Sequence, residues 1–300
     1  ADALLNLFLV LTLFDLFEYS NRPAAWLRYR VYFWIALGVL TKGPVAILIP
    51  TAVSGIYYLW NRRIADGLKL LFSPIGWLVF IVIALPWYVL EYLDQGQAFI
   101  DGFFMRHNVE RFATPMEQHA GSLFYYLPVV ILLVLPFTGL LWDVLKRLKP
   151  AKEITQEVLF ARYLWVWFGF VIVFFSLSGT KLPHYVIYGL TPLVILMADS
   201  YCSQQRRWLL ALPALVLPVL TLILPVLLNR YQQTAKSGFY RQMVSDGLEA
   251  YTSSYYLLAG GAVLLLISLP FWAPRLLRVF LVALSVSATI SLILIPVIGD

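Results

Sequence analysis

The sequence predicts an all-α protein that crosses a lipid bilayer many times. Two observations carry this: 61% of its 300 residues are hydrophobic and only 13% are charged, against about 25% charged in a soluble domain. A third is arrangement, since the apolar residues fall into runs near the length of about 20 that spans the hydrocarbon layer as a helix. The mean hydropathy of +0.80 agrees.

Runs broken by charge, proline and glycine give ten candidate spans: 3–17, 30–41, 44–60, 70–90, 123–142, 160–177, 184–199, 207–228, 255–272 and 277–298. Residues 1–228 read as one transmembrane, catalytic-type region that includes a long loop at 91–122. Residues 229–300 read as a loop followed by two C-terminal helices. The chain opens inside an apolar segment without a basic leader, so further sequence is expected before Ala1.

If the spans alternate, one set of connections holds Arg22, Arg28, Arg30, Arg62, Arg63, Lys69, Lys146, Arg147, Lys149, Lys152, Arg206, Arg207, Arg275 and Arg278. The other, with longer loops, holds Lys42, Arg106, Arg111, Lys181, Arg230, Lys236 and Arg241, half as many. Basic residues favour the cytoplasmic side, so the richer set is placed inside. Asp2, the turns near Lys42 and Lys181, and the 91–122 loop are then expected outside. Aromatics near the proposed ends, such as Trp60, Trp87 and Tyr125, suit the bilayer interface. No Asp, Glu, Lys or Arg falls mid-span, which argues for chemistry at a surface rather than for ion coupling within the membrane.

Two outer turns repeat one pattern, Thr41-Lys42-Gly43-Pro44 and Thr180-Lys181-Leu182-Pro183. Each proline can open a helix, whose unpaired N–H groups and partial positive charge favour an anion beside the lysine. The plainer alternative is a lysine that snorkels to the interface before a proline-started helix. Residues 98–112 predict an interfacial helix: Phe99, Ile100, Phe103, Phe104 and Phe112 share an apolar side, while His107 and Arg111, four apart, share another. This helix serves either as a membrane-seated connector or, through the Arg111 guanidinium, as a phosphate clamp.

His107, His119 and His184 all fall outside, but no helical H-x-x-x-H spacing occurs, and neither a metal nor a cofactor is expected. The lone cysteine, Cys202, excludes a disulfide within the chain. The formal charge of +6 is dispersed over short loops, which argues against a nucleic-acid partner.

Taken in order, Leu40–Pro44, Leu85-Pro86-Trp87-Tyr88, Arg106–Phe112, Tyr125-Tyr126-Leu127-Pro128 and Ser178–Tyr185 resemble the membrane portion of glycosyltransferase family 39. That family includes the dolichyl-phosphate-mannose protein mannosyltransferases and the bacterial aminoarabinose transferases that modify lipid A. The resemblance covers about residues 1–200. It implies a helical bundle of the GT-C type and an inverting transferase. The sugar would pass from a polyprenyl-phosphate donor to a lipid, glycan or protein acceptor at the periplasmic face of a bacterial inner membrane.

By motif position it implies Arg111 and Tyr185 on the donor phosphate, with Lys42, Lys181, Asp2 and His107 around them. It also implies that the catalytic aspartate lies upstream of Ala1, leaving this stretch inactive alone. A lipid-linked-sugar flippase, with the same cations as a docking site, is the competing expectation. A scaffold subunit without chemistry is a third.

Overall fold

The computed structural model describes residues 1–103, 122–146, 153–203, 208–234, 237–249 and 251–298, and no strand occurs among them. They divide into two compact units, residues 1–130 with 150–198, and residues 131–149 with 199–300.

The first unit starts with α1 (Asp2–Asn21) and α2 (Ala25–Lys42), joined by three residues. So short a link makes them antiparallel neighbours. Leu5, Leu9, Leu13 and Leu16, three or four apart on α1, are buried. That stripe packs α1 against α2 and against α3 (Val45–Trp60). The α2–α3 corner turns at Gly43, whose φ of 87° is a conformation that side chains disfavour. A Cβ on Gly38 would lie 2.9 Å from that of Ala46, so the two helices approach closely just below the corner.

An amphipathic helix not expected from the sequence, α4 (Ile64–Leu71), follows. Tyr32 ties it down by donating its hydroxyl to the carbonyls of Leu70 and Leu71, at 2.9 and 2.8 Å. Ser73 then caps α5 (Pro74–Gln95), accepting from Gly76 N–H at 3.2 Å, with proline in the first turn. Beyond Gly96, where φ is 59°, a short helix α6 (Gln97–Phe99) runs into a helical turn ending at residue 103. Phe99 and Phe103 stack there at 5.5 Å, against Trp87 and Tyr88 of α5. The apolar side expected for 98–112 is therefore present as far as Phe103. Residues 104–121 lie outside the described residues.

α7 (Tyr126–Leu133) runs across the boundary between the units. Thr155 caps α9 (Gln156–Leu177), and a 3-10 turn (Pro183–Val186) leads into α10 (Ile187–Ser203), whose last residues belong to the second unit. On α9, Tyr163 and Trp167 are buried, and Tyr163 donates to the Leu13 carbonyl at 2.7 Å.

In the second unit, α8 (Gly139–Lys146) precedes α11 (Trp208–Ala214), α12 (Val216–Thr234), α13 (Gly238–Glu249), α14 (Ser253–Trp272) and α15 (Arg275–Ile298). Tyr255 of α14 donates to the Thr221 carbonyl of α12 at 2.8 Å, while Tyr201 donates to Arg275 O at 3.0 Å.

Six helices among the described residues are long and apolar enough to cross a membrane: Asp2–Asn21, Pro74–Gln95, Gln156–Leu177, Pro183–Cys202, Leu210–Thr234 and Ser253–Trp272. Their outward residues, such as Val82 and Leu90 at 63% and 67% exposure, have lipid tails as their natural surroundings. The chain is an integral membrane protein.

The expected single span at 123–142 is corrected. It is two short helices, α7 and α8, broken at residues 134–138. Pro136 has no N–H for the helix ladder and biases Leu135 away from helical geometry. Leu135 N–H turns to the Leu132 carbonyl at 3.2 Å, and the Ile131 carbonyl that it leaves accepts from the Thr138 hydroxyl at 3.1 Å. The span begun near residue 3 also runs further than expected, and it carries a charge. Asp15 is buried on α1, paired with Arg30 at 3.0 Å and accepting from Trp34 Nε1 at 3.0 Å.

Candidate functional site

Three chain segments meet at one end of the first unit: the start of α1, the end of α2 and the 183–188 stretch. Asp2 is in the first turn of α1 and Lys42 in the last turn of α2. The Lys42 charge is favoured by the helix end that it occupies. Being antiparallel, the two helices bring those ends together, and Lys42 Nζ forms an ion pair with Asp2 Oδ1. The same carboxylate oxygen accepts the Tyr188 hydroxyl. Lys42 Nζ donates to Tyr188 Oη at 3.1 Å, closing a three-residue ring of charge-assisted bonds.

His184 Nε2 stands 3.9 Å from the other Asp2 oxygen. The Lys42 ammonium also lies 5.6 Å and 5.8 Å from the ring centres of Tyr185 and Tyr188, within cation–π range. The pair remains open to ligand, with Lys42 and Asp2 side chains 29% and 38% exposed.

The aromatic floor is fixed from below. Phe175 stacks on Tyr185 at 4.7 Å, and Trp167 Nε1 donates to the Tyr188 carbonyl at 2.7 Å. From the side, Tyr126 clamps the preceding turn, its hydroxyl donating to Leu182 O and accepting from Leu182 N–H, both at 3.2 Å.

Of the residues singled out in the sequence, Asp2, Lys42 and Tyr185 are brought together. Lys181 is directed elsewhere: 8% exposed, it donates to the Ser178 carbonyl at 2.7 Å and braces its own turn. The repeated turns thus differ, one lysine facing the cluster and the other folded into the backbone. Arg111 and His107 lie outside the described residues. Tyr188 was missed, although it sits three residues after Tyr185 and four after His184, on their side of a helix.

No group of three or more His, Cys, Asp or Glu suited to a metal occurs among the described residues. With one carboxylate against one ammonium and a neighbouring imidazole, the cluster suits a ligand carrying hydroxyl or amino groups beside an anion.

This fold and cluster define a class: a polytopic membrane protein with a half-open, ion-paired polar site where helix ends meet. No family model matches the chain. It is 33% identical over 183 residues to an undecaprenyl phosphate-alpha-4-amino-4-deoxy-L-arabinose arabinosyl transferase of Pseudomonas fluorescens strain Pf-5, covering 59% of this chain and 32% of that protein. A second such transferase, from P. fluorescens strain Pf0-1, is 31% identical over 267 residues, covering 86% of this chain and 45% of its own length.

Among solved structures, ArnT from Cupriavidus metallidurans bound to undecaprenyl phosphate matches 99% of this chain with a TM-score of 0.73 at 21% identity, over 54% of its own length. The apo form of the same protein matches with a TM-score of 0.72. The chain therefore has the membrane fold of ArnT. The family that its motifs resemble, glycosyltransferase family 39, includes such aminoarabinose transferases. The chain spans less than half the length of the curated relatives named above.

Proposed function

We propose that this chain forms part of a membrane glycosyltransferase that moves an amino sugar from undecaprenyl phosphate to a lipid acceptor at the periplasmic face of a bacterial inner membrane. The observation that carries the reading is the Asp2–Lys42–Tyr188 ring beside Tyr185, found in a chain whose relatives are named for that donor. Those relatives are named for transfer, which favours chemistry over translocation.

In this reading the donor phosphate approaches the Tyr185 side of the cluster. A bare anion beside Asp2 would be repelled, so the Asp2–Lys42 pair serves to fix the ammonium rather than to supply free charge. Arg111 adds the planar fork that matches phosphate oxygens. Charge grows on the leaving phosphate as the sugar departs, so donors already aimed there act most strongly in the transition state. The exposed face of Asp2 is suited to the amino group of the sugar. Lys181 supports by shaping the turn that holds Tyr185.

The test is made in the full-length protein expressed in cells whose lipid A is read by mass spectrometry. Arg111→Ala and Tyr185→Phe should each lower the modified fraction at least tenfold at unchanged membrane levels, since losing one such donor costs about 2.7–4 kcal/mol of barrier. Wild-type modification by both variants would overturn the assignment. Labelled donor that changes leaflet without forming a new glycosidic bond would replace transfer by translocation.

A further inference from the structure

At the other end of α2 from Lys42, the first unit holds a cavity of about 280 Å³ between α1, α2, α3 and α4. Arg28 and Lys42 are fourteen residues apart on that helix, about 21 Å along its axis. The cavity wall is largely apolar and includes Leu16, Ile35 and Leu68. Gly55 also lines it, and a Cβ added there would meet nothing within 4 Å.

Two donors at this end have no hydrogen-bond partner among the described residues. The Tyr58 hydroxyl, in the cavity wall, and Arg28 Nε are both shut from water without a hydrogen bond. Leaving a buried donor unpaired costs about 1–3 kcal/mol. Around them basic groups predominate. Arg28 lies within electrostatic reach of Tyr32, another wall residue, and Arg63 within reach of Tyr58. Arg62 is exposed just before α4, and Lys69 is 72% exposed on it. The only acidic residue of α4, Asp66, is shared between Arg63 and Lys69 at 3.0 and 3.7 Å.

An apolar slot, with basic residues beyond its wall and orphaned donors at the same end, matches one kind of occupant. Water does not fill a slot walled by hydrocarbon, and free phosphate would leave that wall empty. We propose that this cavity holds an acyl chain of an anionic glycerophospholipid from the inner leaflet. Its phosphate sits among Arg28, Arg62, Arg63 and Lys69, and its ester oxygens lie toward Tyr58. Basic pockets between membrane helices on the cytoplasmic side bind anionic headgroups in this way, and the basic bias of the loops places this end inside. The amphipathic helix α4, held by its bonds to Tyr32, closes the slot over the chain.

The experiment is native mass spectrometry of the full-length protein released from nanodiscs of phosphatidylglycerol or of phosphatidylcholine. The wild type should retain one more phosphatidylglycerol than Gly55→Leu, whose side chain fills the slot, and should not hold phosphatidylcholine comparably. The double variant Arg62→Glu, Lys69→Glu should lower occupancy at least fivefold, since each basic residue near such a headgroup contributes about 1 kcal/mol. Should Gly55→Leu not elute as a folded species, Thr51→Leu at the same wall takes its place. Equal retention by the wild type and the slot-filled variant overturns the proposal. So does equal retention of the two lipids, or occupancy by a single-chain detergent or fatty acid alone. None of these readouts depends on sugar transfer, so the two proposals can fail separately.

Discussion

The ion pair between Asp2 and Lys42 gives a quantitative test of the cluster, because a double-mutant cycle isolates the coupling of two side chains from their separate roles. Both are roughly a third exposed. An exposed pair is worth about 0.2–1 kcal/mol, whereas stripping one partner from a fully buried pair costs about 3–5 kcal/mol. The Tyr188 hydroxyl, bonded to both partners, adds rigidity that a simple surface pair lacks. The coupling should therefore be about 1–2 kcal/mol, a factor of about 5–30.

In the full-length protein, transfer to lipid A would be measured for wild type, Asp2→Asn, Lys42→Met and the double variant. Each single change should cost activity, and the double should cost less than their sum by that coupling energy. The same cycle read in thermal unfolding should show a coupling of the same sign. If the activity losses add to within about 0.3–0.5 kcal/mol, the two residues act independently and the ring of bonds described above is not a functional unit.

Three further outcomes follow from the same geometry. Lys181→Met should act on stability, lowering the unfolding free energy in detergent by about 1–3 kcal/mol because its ammonium is spent on the Ser178 carbonyl. Lipid-linked donor binding that falls tenfold in a variant of wild-type stability would show that this lysine meets the ligand after all. Gly76→Ala should destabilise by about 1–3 kcal/mol, since its Cβ would fall 2.4 Å from the Tyr32 ring, and an unchanged melting temperature would refute that packing. Cys202, exposed at the end of α10, should react with a membrane-impermeant maleimide only after the inner membrane is opened, with any cysteine elsewhere in the full-length protein replaced. Labelling in intact cells would reverse the orientation.

The helices were legible because lipid allows few solutions: a run of apolar residues must satisfy its backbone internally, so length and composition nearly determine it. Where the reading failed, local chemistry overrode composition. The 123–142 run is apolar enough to span, yet Pro136 has no N–H for the ladder and the helix breaks at residues 134–138. α4 was hidden because Ile64, Leu68 and Leu71 are too few to stand out between Arg62, Arg63 and Lys69.

At the candidate site, the motifs singled out Asp2, Lys42 and Tyr185, which the structure brings together. It could not separate Lys42 from Lys181, whose turns read alike. That difference arises from where each ammonium can reach: one faces a carboxylate 40 positions away in the chain, the other a carbonyl three residues back. Tyr188 was overlooked because its role depends on a contact with residue 2, across 186 positions. Pattern within a segment says nothing about such a contact.

The Tyr126 clamp on Leu182 has a mechanical consequence. The described residues resume at Ser122, four residues before this tyrosine, while Leu182 stands three residues before Tyr185. One phenol thus rivets the segment after Ser122 to the turn that leads into the platform beneath the ammonium. Moving either segment away from the other means breaking both bonds of that phenol, so residues 122–126 and the turn before Tyr185 are held as one piece.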